Sequence, residues 1–194
     1  PPLAEAFKAS VPILALIEES ARAEADRNAF QEFDHVALFA SCSKWTRRVD
    51  RPERFDDYLD MAIVQATSGR PGPVVLILPS DFMGQEAVLS PQRTVSLGHF
   101  PLDRLVPPRE RIREAAAALA AAKRPLIVAG GGVHLSDAAA EVVTLAELGA
   151  IPVATTNMGK GTIDERAPLS LGVFGNCMGH GARGEHLRSF ASEA

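Results

Sequence analysis

Five consecutive branched apolar residues, Val74, Val75, Leu76, Ile77 and Leu78, stand between G-R-P-G-P (69–73) and P-S-D (79–81). A strand with one wet face alternates polar and apolar residues, so an unbroken run of this length fits a strand covered on both faces, inside a parallel sheet. Each such side chain contributes about 1.5–3 kcal/mol when fully buried. The glycines and prolines before it set a tight turn, because proline fixes φ and glycine reaches dihedrals closed to other residues. The run therefore predicts a central strand, and a turn with a strand performs no chemistry by itself.

The surroundings repeat the same kind of unit. Over 54–68 the residues Phe55, Tyr58, Leu59, Ala62, Ile63 and Ala66 recur at threes and fours, which puts one apolar stripe on a helix that Gly69 ends. The run V-P-I-L-A-L-I (11–17) predicts another strand covered on both faces. Residues 85–108 hold several prolines and no sustained period, and are read as an inter-domain linker. Beyond it come an alanine-rich helix (110–122), a strand (125–129), a turn of Gly130, Gly131 and Gly132, a helix N-capped by Ser136 and ended by Gly149, and a strand (151–155). Helix, strand, glycine turn, helix, strand is the grammar of an α/β fold with two doubly wound parallel-sheet, Rossmann-like units, the first and last expected to be incomplete. The expected domains are 1–84 and 109–194, joined by 85–108.

Composition narrows the function. With 46% apolar residues, the 194-residue chain has enough to build a core. A net charge of -4, with the 20 Lys and Arg scattered, gives no basic stripe for a phosphate backbone, so nucleic acid is not expected as a partner. No apolar run is long enough to span a bilayer, and no signal-peptide pattern opens the chain. Two distant cysteines, Cys42 and Cys177, cannot make the multi-bridge framework of a small secreted domain, which fits a reducing cytoplasm. Cys177 and His180 are the one close pair of soft ligands, without two more at zinc spacing, so no metal site is expected within the chain.

The order of the motifs carries more than any one of them. N-A-F-Q-E-F-D (28–34), S-K-W (43–45) and A-x-x-Q-A-x-S-G-R-P-G-P-V-x-L-x-L-P-x-D (62–81) together resemble the C-terminal half of the pyrimidine-binding domain of thiamine-diphosphate-dependent enzymes of the acetolactate synthase and benzaldehyde lyase group. K-R-P-L-I-V-A-G-G-G (123–132), L-G-A-I-P-V-A-T-T-N-M-G-K-G (148–161) and L-G-V-F-G (171–175) resemble their central domain. On this resemblance the chain is an internal piece of such an enzyme, starting at Pro1 rather than Met.

The resemblance implies roles residue by residue. Phe30 and Gln31 match the F-Q-E motif, whose glutamine lies beside cofactor and substrate; an amide suits that place because it donates and accepts without titrating. From the residues alone, Gln31 reads first as a helix-start residue bonding to backbone, and Glu32 and Asp34 as a cap or surface pair. Lys44 matches a lysine expected to be structural, with Trp45 packing over a strand edge. Ser80 stands where acetolactate synthases proper commonly carry lysine, which leaves related lyases, carboligases and decarboxylases open. Gly130, Gly131 and Gly132, with Thr156 and Lys160, mark the place where some central domains hold FAD and others an adenosine nucleotide. As a nucleotide fingerprint the turn is incomplete, because the third glycine of G-x-G-x-x-G would fall at Leu135.

Two parts of the family's machinery are not in this sequence. The glutamate that activates the aminopyrimidine ring would precede Pro1. The G-D-G motif that holds the diphosphate through Mg2+ does not occur. Thiamine diphosphate and Mg2+ are therefore expected in the parent protein, which would make or break a carbon–carbon bond beside the carbonyl of a 2-oxo acid or aldehyde. The 194-residue chain alone is expected to be inactive. A homodimer or homotetramer is implied, since the family's cofactor lies between domains of two subunits. The rival from another class is a non-catalytic nucleotide-binding (FAD or ADP) or interaction module.

Overall fold

The structure is a computed structural model and describes residues 1–86, 97 and 106–175. The chain divides into two compact units, Pro1–Leu102 and Asp103–Ala194.

The first unit opens with helix α1 (Pro2–Ala9), which ends where Ser10 turns left-handed at φ 60. Strand β1 (Leu14–Glu19) follows, then a 3-10 turn at Arg22–Glu24 and helix α2 (His35–Ala40). The Asp34 carboxylate caps α2 by accepting from the Ala37 N–H at 2.9 Å. Strand β2 (Trp45–Arg48), helix α3 (Phe55–Thr67), strand β3 (Val74–Pro79) and the short helix α4 (Ser80–Met83) complete it. All three strands are parallel, in the order β1-β3-β2, with Leu14 and Trp45 both opposite Val74.

The 74–78 run is thus the middle strand, and its composition follows from that place. Successive side chains of a strand point to opposite faces. Val74, Leu76 and Leu78 meet Ala62 and Ala66 of α3, with Val49 beside them and Phe55 and Tyr58 packed around. Val75 and Ile77, aimed at the other face, have no exposed surface. The G-R-P-G-P turn is tied to the rest of the unit by Arg70, which donates to the Ser10 hydroxyl at 2.8 Å and the Lys8 carbonyl at 3.1 Å.

The expected strand at 11–17 is corrected in both bounds and environment. It runs over Leu14–Glu19 at the edge of the sheet, with Leu16 half exposed and Val11 and Ile13 outside it. Apolar residues alone cannot distinguish an edge strand from a central one when the preceding segment is taken up by a helix cap.

The second unit begins with α5 (Arg109–Ala121), an alanine-rich helix with no buried residue. Strand β4 (Ile127–Ala129), helix α6 (Gly131–Leu135), helix α7 (Ala139–Gly149), strand β5 (Val153–Thr155) and strand β6 (Ser170–Val173) follow. The sheet is again parallel, ordered β4-β5-β6, with a bulge opposite Val153 and Ala154. Its core joins Ala129, Ala146, Val153 and Ile163, flanked by Val133, Val142 and Val143.

Two helix boundaries differ from expectation. Ser136 is not an N-cap: the glycine turn winds directly into α6, whose end is bonded from Ser136 N–H to the Gly132 carbonyl at 3.0 Å, and Asp137 turns left-handed at φ 49. At the end of α7 the left-handed residue is Ala150, not Gly149. At Gly149 the Ile151 side chain folds back over the backbone, so that a Cβ would lie 2.7 Å from its Cδ1 and that side chain would have to turn aside.

The linker expected at 85–108 falls largely outside the described residues, as do Cys177 and His180.

Candidate functional site

In parallel α/β units, ligands bind beyond the carboxyl ends of the strands. In the first unit that end carries the loop between β1 and α2, where Phe30 and Gln31 lie. Phe30 is 87% exposed. Gln31 is exposed and left-handed at φ 60. Asp26 and Asn28, in the same loop, are also left-handed, at φ 61 and φ 56. Aspartate and asparagine tolerate this region because their short side chains bond locally; a glutamine there is strained by roughly 1–2 kcal/mol.

Three sets of contacts hold this loop. At its start, the Arg22 N–H and guanidinium grip both carboxylate oxygens of Asp81, at 2.9 Å from the backbone and 2.8 Å from Nε, and Nη1 donates to the Asp50 carbonyl. The hydrogen bond from the Arg22 side chain holds the Asp81 carboxyl below the usual range. The Asp of the P-x-D motif thereby links the end of β3 to the loop after β1. In the middle, the Glu32 carboxylate accepts from the backbone N–H groups of Asp26 and Ala29. At its end Asp34 caps α2, so of the two acids read as a cap or surface pair, Asp34 is the helix cap and Glu32 an internal loop anchor.

Beside the loop lies a polar cluster that no motif announced. Glu19, at the end of β1, faces Arg48 Nε of β2 at 2.9 Å and His35 Nδ1 at 3.6 Å, and the Glu19 and His35 side chains are each only 12% exposed. The His35 ring stacks on Phe39 and meets Phe33 edge-on. The three groups come from segments far apart in sequence, so only the fold brings them together.

Lys44 takes a supporting place. Its ammonium donates to the carbonyls of Gln65 and Ser68 at the end of α3, where cations stabilise unsatisfied carbonyls. Burial lowers its pKa. Trp45 begins the edge strand β2 under the Arg47 guanidinium, 5.1 Å from the ring centroid.

In the second unit the glycine turn, Thr156 and the backbone of Lys160 do meet, at the carboxyl ends of β4 and β5. Thr156 N–H donates to the Ala129 carbonyl at 2.9 Å, and its hydroxyl accepts from Gly159 N–H at 3.2 Å. His134 Nε2 lies 3.0 Å from the Lys160 carbonyl. The Lys160 ammonium itself faces Glu165 at 3.6 Å.

The glycines here have different reasons. A Cβ on Gly131 would press on Met158 Cβ at 3.1 Å, whereas one on Gly132 meets nothing within 4 Å. Gly159 is buried with its backbone against Ala129 and Gly130. The loop after β5 thus packs directly on the glycine turn. Gly132→Ala is expected to be neutral or to stabilise by up to about 0.5–1 kcal/mol, since alanine is the better helix residue and has room; urea denaturation of the protein checks this.

Among the described residues no group of three or more His, Cys, Asp or Glu side chains is placed to hold a metal ion, and no helix is long and apolar enough to cross a membrane.

Comparison with known proteins adds an independent line. Residues 112–189 match the family model described as thiamine pyrophosphate enzyme, central domain. Over 177 residues the chain is 37% identical to the probable acetolactate synthase large subunit of Methanocaldococcus jannaschii, covering 89% of this chain and 30% of that protein. It is 36% identical over 183 residues to the acetolactate synthase of Arthrospira platensis, covering 92% of this chain and 31% of the relative. Glyoxylate carboligase of Escherichia coli O157:H7 is 36% identical over 166 residues, 86% of this chain and 28% of the relative. The chain spans about 30% of the length of the curated relatives it matches.

Proposed function

The chain belongs to the thiamine pyrophosphate enzyme family, and from that premise we propose that the protein carrying it is a carboligase or decarboxylase acting on a 2-oxo acid or related aldehyde. The observation that carries the reading is Gln31, held exposed and left-handed at the carboxyl end of the first sheet beside an uncovered Phe30. Strain at a polar residue in such a place is what a preorganised site stores.

The residues present fit a thiamine diphosphate edge and a substrate carbonyl on the Gln31 side. A neutral amide can donate to a substrate oxygen and accept from an amino group without changing charge through the reaction. Phe30 supplies apolar surface that keeps water from the reacting carbonyl when covered. The bound cofactor would supply the nucleophilic carbon and the electron sink. No diphosphate or Mg2+ ligand set is assigned to this chain, and the 194 residues alone are proposed to be inactive. Ser80, the first residue of α4, leaves the choice of 2-oxo acid open. Assembly as a homodimer or homotetramer and a cytoplasmic location complete the proposal.

FAD or an adenosine nucleotide at Gly130, Gly132, Thr156 and Lys160 is kept as a separate proposal for the second unit, supported by the open space over Gly132. Gly131 and Gly159 are accounted for by packing of the chain on itself.

The test uses the full protein with pyruvate as probe, with and without thiamine diphosphate and Mg2+. Turnover dependent on both is expected, and Gln31→Ala should lower kcat/KM roughly ten- to a hundredfold, the loss of one or two hydrogen bonds in the transition state. Turnover indifferent to thiamine diphosphate, or absent with pyruvate, glyoxylate and aromatic 2-oxo acids alike, sinks the reading.

A further inference from the structure

We propose that Glu32 is a positioning residue that holds Gln31 in its left-handed conformation by binding the loop's own backbone, an inference that rests on the role given to Gln31 above. Three of the six residues 26–31 are left-handed although none is glycine. Left-handed residues in a turn can aim neighbouring N–H groups inward into a concavity that binds anions. Here the anion comes from the chain: Glu32 Oε1 accepts from Asp26 N–H, and Oε2 from Ala29 N–H at 2.9 Å. The Glu32 N–H returns a bond to the Ala29 carbonyl at 3.1 Å, which closes the loop one residue past Gln31.

The chemistry is specific to a carboxylate. Two N–H donors from different residues converge on two acceptor oxygens, and charge-assisted bonds of this kind are about twice as strong as neutral ones. An amide in the same place offers one acceptor and turns a donor toward a donor. The backbone N–H of Ala29, and then that of Asp26, draw the Glu32 pKa below its ordinary value. The sign follows: the anchor is complete above the ordinary glutamate range and is lost as pH falls through the lowered folded-state value.

The experiment compares wild type, Glu32→Gln and Gln31→Ala in the full protein, reading amide hydrogen exchange and thiamine-diphosphate-dependent turnover of the 2-oxo acid that wild type accepts. Glu32→Gln is expected to speed exchange at Asp26 and Ala29 at least tenfold and to lower kcat about tenfold, while far-ultraviolet circular dichroism stays that of wild type. Adding Asn28→Gly to Glu32→Gln should recover part of the kcat, because glycine takes left-handed backbone without the carboxylate. In wild type, the Asp26 and Ala29 amide shifts should follow one carboxylate titrating below the ordinary range, a readout that stands even if the variant folds poorly. Unchanged exchange at both amides overturns the proposal. So does a kcat lowered in Gln31→Ala but not in Glu32→Gln. A kcat unchanged in both variants removes the role of Gln31, and the proposal with it.

Discussion

Gly159→Ala is expected to abolish the native fold of the second unit. An added Cβ would overlap the Ala129 carbonyl oxygen and lie 2.8 Å from the Ala129 carbonyl carbon and 3.1 Å from the Gly130 carbonyl carbon. These are backbone atoms at the end of β4, and they cannot swing aside as a side chain would. Ala129 is itself core, 2% exposed, and its carbonyl already accepts from Thr156 N–H. Relief would have to come from lifting the 156–160 loop, which breaks the Thr156 bonds and exposes Ile163. The expected loss is therefore above the ~1–3 kcal/mol of an ordinary overpacked core methyl and on the order of 4 kcal/mol or more. Urea denaturation followed by circular dichroism, with Gly132→Ala as the tolerated neighbour, measures it. A Gly159→Ala protein within about 1 kcal/mol of wild type would show that the glycine turn and the loop are not packed as described.

Leu76→Ala should be nearly as damaging in the first unit. Leu76 has no exposed surface and sits in the middle of the middle strand, against Ala62 and Ala66 of α3. Ala62 and Ala66 are too short to fill the hole, so the loss should lie toward the upper part of the ~2–5 kcal/mol range for such truncations. Leu16, 52% exposed on the edge strand β1, provides the contrast: Leu16→Ala should lose less than about 1 kcal/mol. Equal losses at the two positions, read from denaturant midpoints at constant slope, would remove the central place of the 74–78 strand.

Legibility in the sequence was uneven for physical reasons. The helix expected over 54–68 is observed as Phe55–Thr67, because an apolar stripe at threes and fours is a local property of the segment. The strand at 11–17 shifted to Leu14–Glu19 and proved to be an edge, because the number of neighbours a strand has is decided by the rest of the sheet. Ser136 failed as an N-cap because the chain is already helical over Gly131–Leu135, which leaves Ser136 at the C-terminal end of that helix. The residues quoted for the site were placed unequally. The glycine turn, Thr156 and the Lys160 backbone meet at one end of their sheet, with the Lys160 ammonium turned to Glu165. Phe30 and Gln31 lie in a loop whose supports, Asp81 and Glu32, stand in the quoted motifs, but their pairings with Arg22 and with two backbone amides were not legible there.

Legible before any contact was known were the central parallel strand of the first unit and the order of motifs that carries the resemblance. Five branched residues in a row tolerate few environments, and a fixed order of short motifs survives without knowledge of contacts. How the loop at the strand's end is held emerges only from the folded chain. Arg22 and Asp81 are 59 residues apart, and the left-handed backbone of Gln31 leaves no mark on residue type. Burial is written into composition residue by residue; a pairing across the chain, and the sign of φ at a non-glycine, exist only once the chain has closed on itself.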